Sequence, residues 1–256
     1  YELHDTAYAT TLTPGSIGIA VQDSTYASKS VDVSGTDSRP HAVFFKTDGT
    51  KMYTVGDLGD KVFEYDLSTA YDVSTATYSS NSFTVSGQEG NTYALCFSTN
   101  GTKMYIGGNG SYVYEYTLST AWDVSTASYS SNSLYVGGQS TNIRGLFLKS
   151  DGTKIFACLI GNDTVFEYDM STAYDLSTAS YSSNSISVAS NDTTPNALAF
   201  TSDGLSFCIA GENSDTIYQY DMTTAWDVST ASDSGNSFLI SAQETTVTGL
   251  HIIDDE

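Results

Sequence analysis

The chain has 256 residues, with 9 Lys and Arg against 30 Asp and Glu and a net charge of −21. That balance argues against nucleic acid, whose phosphates need basic residues for neutralisation, and against anionic membrane surfaces. No stretch approaches the 18 or so consecutive apolar residues of a membrane span, and so strongly acidic a surface keeps a chain soluble and monomeric.

The first 25 residues hold two strand-like segments, Tyr1–Thr11 and Ile17–Val21. From there the chain repeats itself. A turn tripeptide recurs as Asp48-Gly49-Thr50, Asn100-Gly101-Thr102, Asp151-Gly152-Thr153 and Asp203-Gly204-Leu205, with glycines 52, 51 and 52 residues apart. A second block of the type Ser-Thr-Ala-Tyr/Trp-Asp-Val/Leu-Ser-Thr-Ala starts at Ser68, Ser119, Ser171 and Thr223. A fixed period means that each unit is a supersecondary element burying its faces against its neighbours.

Within one unit, Phe83-Thr84-Val85 alternates as a half-buried strand does, and Gln88-Glu89-Gly90-Asn91 breaks it. Tyr93-Ala94-Leu95-Cys96-Phe97 is nearly all apolar, the pattern of a strand covered on both faces. Asn100-Gly101 predicts a tight two-residue hairpin. Lys103–Ile106 and Val113-Tyr114-Glu115-Tyr116 complete a four-stranded meander with no helix. Sheets of four strands repeated at this period indicate a β-propeller.

Four full units are read at 28–79, 80–131, 132–183 and 184–235. The tail supplies two further strands, Ser237–Ile240 and Thr248–Ile253, and stops where the next turn is due. The expectation is therefore one domain over residues 1–256, all-β: a five-bladed β-propeller, its last blade built from 236–256 plus 1–25, the N-terminal strands closing the ring. The competing expectation is a piece of a longer repeat array.

Phe97–Ile106 followed by Val113-Tyr114-Glu115-Tyr116 resembles the propeller repeats of the YVTN and lactonase-like group, with their Asp-Gly turn and Val-x-Val-Tyr-Asp fourth strand. It is even more similar to the tandem STAWDVSTASYSSNSF repeats of marine phage and bacterial proteins. The resemblance covers residues 25–256, is carried by turn and core residues, and implies fold rather than chemistry.

Cys96, Cys158 and Cys208 lie in apolar strand windows without CxxC spacing and read as buried thiols, not zinc ligands. The repeated Asp72, Asp123, Asp175 and Asp227 read as caps of short turns. Their neighbours Tyr71, Trp122, Tyr174 and Trp226 either pin loops onto the blades or offer stacking faces to a sugar. Glu64, Glu115 and Glu167 read as outward charges on an outer strand, where they discourage edge pairing. His251 aligns with Phe44, Cys96, Phe147 and Ala199 and reads as a core histidine. No metal ligand set, cofactor motif or Gly-x-Ser-x-Gly elbow is present in the sequence.

The repeats disagree most in the loop before the apolar strand. One aligned position there carries His41, Tyr93, Arg144, Asn196 and Thr248, always followed by Ala or Gly. Small residues beside varied polar ones near an axis suit a binding site, or else a freely drifting channel mouth. The reading is a non-catalytic binding or structural module, recognising a glycan or a protein, displayed outside a cell or on a virion. The alternative is a lactonase- or glycosidase-like hydrolase at the channel mouth, with two carboxylates drawn from Asp37, Glu89, Asp192 and Glu244.

Overall fold

The computed structural model describes residues 21–243 and 246–253, and the backbone of 6–11. A two-stranded sheet pairs β1 (Thr6–Thr11) with β2 (Thr25–Asp32). Four antiparallel four-stranded sheets follow. They are β3 (Pro40–Phe45), β4 (Lys51–Gly56), β5 (Lys61–Leu67) and β6 (Ala76–Thr84); then β7 (Thr92–Phe97), β8 (Lys103–Gly108), β9 (Tyr112–Leu118) and β10 (Ala127–Tyr135). The third comprises β11 (Ile143–Leu148), β12 (Lys154–Leu159), β13 (Thr164–Met170) and β14 (Ala179–Ser187). The fourth comprises β15 (Pro195–Phe200), β16 (Ser206–Gly211), β17 (Thr216–Met222) and β18 (Ala231–Leu239). Each sheet is a meander whose first strand lies innermost.

The propeller thus has four blades, not the expected five. A repeat period counts residues and says nothing about which backbone groups pair. Residues 247–253 do lie at the axis, yet they form no strand. Their contacts with the flanking inner strands run through side chains, from Asn196 Nδ2 to the Val247 carbonyl (3.2 Å) and from Thr248 Oγ1 to the Pro40 carbonyl (3.0 Å). Nor does β1 complete a C-terminal blade, because its ladder is with β2. Of the other N-terminal positions expected in strands, 1–5 and 17–20 fall outside the described residues, and Val21 opens a 3-10 turn, Val21–Asp23.

Strand assignment within the unit shifts as well. Phe83 and Thr84, expected to begin a blade, end the outermost strand of the preceding one, with Phe83 opposite Val62 and Thr84 opposite Lys61. The Asp/Asn-Gly turns are also longer than two residues. Ser98 N–H donates to the Lys103 carbonyl across a four-residue loop, and only Gly101 takes positive φ (+69°).

The core lies between sheets. Tyr53, Val55 and Val62 of the first blade pack with Leu95, Phe97, Met104, Ile106 and Tyr116 of the second, all buried. The same layering joins the second blade to the third and the third to the fourth. Fully burying a side chain of this size contributes roughly 1.5–3 kcal/mol. All three cysteines are buried and none forms a disulfide.

Candidate functional site

The small residues after the variable position do what their size allows. A Cβ added to Gly145 would stand 2.7 Å from Leu198 Cβ, and one added to Gly249 would stand 3.0 Å from Val43 N. Ala42, Ala94, Gly145, Ala197 and Gly249 thus let five inner segments crowd round the axis, leaving a shallow depression open to solvent. Arg144, Asn196 and Thr248 reach its wall.

The other two variable residues, Tyr93 and His41, join this group through Arg144. His41 and Tyr93 sit edge to face with centroids 4.7 Å apart, and the Arg144 guanidinium lies 3.8 Å above the Tyr93 ring. Arg144 Nε donates to Asn142 Oδ1 at 3.0 Å. Burial pulls the guanidinium below its ordinary value, opposed by the charges of Tyr93, Glu212 and Asp57. His41 Nε2 stands 3.4 Å from Asp57 Oδ1, and Asp57 Oδ2 accepts from Arg39 Nη2 at 2.8 Å. Burial lowers His41 to about 4 against the pull of Asp57, so the imidazole is neutral near pH 7. Asn196 is 3% exposed and its Oδ1 has no hydrogen-bond partner among the described residues.

The four repeated aromatics are elsewhere and fully employed. Tyr71, Trp122, Tyr174 and Trp226 take positive φ (58°, 67°, 64° and 63°), and each donates its N–H to a turn glycine carbonyl at 2.9 Å. The rings lie flat on those glycines; a Cβ on Gly101 would fall 2.3 Å from the Trp122 ring. Their faces are spent on packing, with Phe44, Tyr53 and Phe97 around Trp122. The adjacent aspartates cap 3-10 turns, Asp123 accepting from Ser125 N at 3.0 Å.

The loop carboxylates are tethers. Asp37 Oδ1 accepts from Arg39 N (2.8 Å), Glu89 Oε1 from Asn91 N (3.2 Å) and Asp192 Oδ1 from Thr194 N (2.7 Å). Glu89 Oε2 also takes Gly110 N, and Asp192 Oδ2 takes Ser214 N and Oγ. Glu244 lies outside the described residues. Among the described residues no three His, Cys, Asp or Glu side chains gather to hold a metal.

Sequence reasoning missed Glu64, Glu115 and Glu167, expected to face outward. They are 1%, 1% and 0% exposed. Glu64 binds Lys51 Nζ at 2.6 Å, Glu115 binds Lys103 Nζ at 2.9 Å, and Glu167 binds Lys154. Burial pulls Lys51 and Lys154 down, but the hydrogen bonds of two carboxylates each outweigh it and hold both ammonium groups above the ordinary lysine value. The signal was present in the sequence: a Lys opens strand β4, β8 or β12 wherever its hairpin partner carries the Glu.

No family model and no curated protein sequence matches the chain. Solved structures do match in shape. One is a Bacteroides fragilis protein provisionally named 6-phosphogluconolactonase (TM-score 0.53, 15% identity, covering 78% of this chain and 55% of that one). Others are a Lactobacillus plantarum protein (0.52, 15%, 87% and 60%) and Sqt1 of Chaetomium thermophilum (0.51, 16%, 91% and 55%). At such identities the likeness shows the β-propeller fold, with lactonase-like neighbours. The chain spans a little over half the length of these structures.

Proposed function

We propose that the chain is a non-catalytic propeller module whose binding surface is the mouth of the axial depression, and that it takes a glycan or a protein segment outside a cell or on a virion. One observation carries the reading. The repeated capping aspartates, buried glutamates and turn aromatics are taken up by the scaffold, whereas Arg144, Asn196 and Thr248, which differ from unit to unit, line the axial depression, with Tyr93 and His41 joined to them through Arg144. No helix among the described residues is long and apolar enough to cross a membrane.

A glycan array and a peptide array, each probed with and without calcium, test it with the wild type and Tyr93→Ala. Reproducible binding lost in the variant supports the module. Binding that survives the substitution places the ligand elsewhere.

The hydrolase alternative rests on Glu89, which burial raises above the ordinary glutamate value, in the direction a general acid needs. Both of its oxygens accept backbone N–H groups, which opposes that role. A lactonase or glycosidase activity that disappears in Glu89→Gln at unchanged stability would restore it.

A further inference from the structure

The pairing of cations in this chain is nearly exhaustive. Seven of its nine Lys and Arg side chains (residues 29, 39, 46, 51, 103, 149 and 154) form ion pairs with described carboxylates. Lys61, at the start of β5, and Arg144 do not. In a chain carrying 30 acidic residues, a half-buried guanidinium that forms no ion pair with a described carboxylate, and feels Glu212 and Asp57 only at a distance, stands out.

Its surroundings explain how it is held. The Nε is occupied by Asn142 and one face by the Tyr93 ring, which orients the fork without neutralising it. The two terminal nitrogens remain for a ligand. A planar guanidinium held this way matches a carboxylate bidentately, and the contact strengthens where water is partly excluded. Beside it, Asn196 Oδ1 is buried and lacks a donor. Its amide nitrogen is already committed to the Val247 carbonyl, so the oxygen is the atom left to accept.

We infer that the axial depression is a receptor for a single carboxylate bearing a neighbouring hydroxyl or amide N–H: Arg144 takes the carboxylate and Asn196 accepts from the neighbouring donor. This rests on the channel mouth being the binding surface. The depression opens to solvent, and the chain's net charge of −21 disfavours polyanions. Two sources share this chemistry, a sugar acid and an acidic amino-acid residue.

Titration followed by amide chemical-shift changes separates them, using glucuronate against glucose and N-acetylglutamate amide against N-acetylglutamine amide. One acid is expected to bind with shifts confined to residues 41–43, 93–95, 144–146, 196–198 and 248–250, and its neutral counterpart is expected to leave them in place. Arg144→Gln is expected to weaken that binding at least about tenfold, and Arg144→Lys, which keeps charge but loses the fork, by less. Melting temperatures of both variants establish that they fold. The inference is overturned if neither acid shifts these residues, if acid and neutral compound bind alike, or if Arg144→Gln binds as the wild type does. A neutral glycan that binds the mouth regardless of Arg144 would overturn it too, while leaving the binding module standing.

Discussion

Glu64 Oε2 accepts the backbone N–H of Val124 at 3.2 Å, across 60 residues and from one blade to the next. The same bond joins Glu115 to Leu176 (2.8 Å) and Glu167 to Val228 (3.2 Å). Each carboxylate therefore serves two masters, a lysine in its own hairpin and the first residue of a capped 3-10 turn in the neighbouring unit. In the fourth blade Ser206 stands where the lysine would be, and the acceptor is the neutral Gln219, bonded to Val21 N at 3.2 Å. Loss of the cation and loss of the anion go together, as the cost of an unpaired buried charge requires.

That pairing sets up a first test in the third blade, where Asp169 matches Asp221. Lys154→Ser alone strands the Glu167 carboxylate and is expected to cost about 3 kcal/mol or more. Glu167→Gln alone leaves Lys154 with Asp169 and is expected to cost about 1–3 kcal/mol. The double variant, copying the fourth blade, is expected to recover most of the loss. Urea unfolding of all four proteins gives the coupling, which should reach at least about 1 kcal/mol; a coupling near zero would sink the account.

Gly101 combines left-handed backbone with the Trp122 ring at the place where a side chain would go. Gly101→Ala is expected to destabilise by about 2–4 kcal/mol, through overpacking and strain together. Gly87→Ala, with open space at its Cβ, is the control and should stay within about 1 kcal/mol. Equal effects on thermal unfolding would show that the aromatic seat contributes nothing.

His251 lies between Phe44 and Phe45, with centroids 5.2 and 5.4 Å away, and burial lowers it to about 4. Its folded value is below the ordinary 6.5, so the unfolded chain binds the extra proton between those limits. Stability is then complete above about pH 6.5 and falls as pH drops toward 4, by at most about 1.4 kcal/mol per pH unit for this one group. His251→Phe, which copies position 44, is expected to flatten that slope. Chemical denaturation at pH 7 and pH 4.5 measures it, and an unchanged slope would assign the acid sensitivity to other groups.

Burial raises the thiols of Cys96 and Cys158 above the ordinary cysteine value, and Cys208 is 1% exposed. All three are expected to ignore a disulfide-exchange reagent at pH 8 in the native protein and to react on unfolding. Titration in buffer and in guanidinium decides it; one fast native thiol would refute the packing.

Local chemistry was legible in the sequence. The positions of the Asp-Gly turns, though not their length, the capping aspartates and the Ala/Gly ring at the axis all follow from residue type and position. Pairing partners were not. Alternation shows that Phe83 and Val62 both face a core, but nothing local says that they face each other. Glu64 looked exposed because it alternates with Phe63 and Tyr65, and the amide that satisfies it comes from 60 residues away. The blade count failed for the same reason, since residues 247–253 carry the repeat's pattern without its backbone pairing. Among the candidate residues, the aligned variable position singled out Arg144 and Tyr93; their stacking required coordinates.

The bond between Val21 and Gln219 closes a circle that the others only extend. It spans 198 residues where the charged versions span 60 or 61, so in an unstructured chain its closure carries about 1 kcal/mol more loop entropy. It also accepts on a neutral amide, the weaker kind of acceptor. The circle therefore has a clasp, made last and opened first. In native-state hydrogen exchange the amide of Val21 should leave protection well before that of Val124, with the rest of the ring still shut.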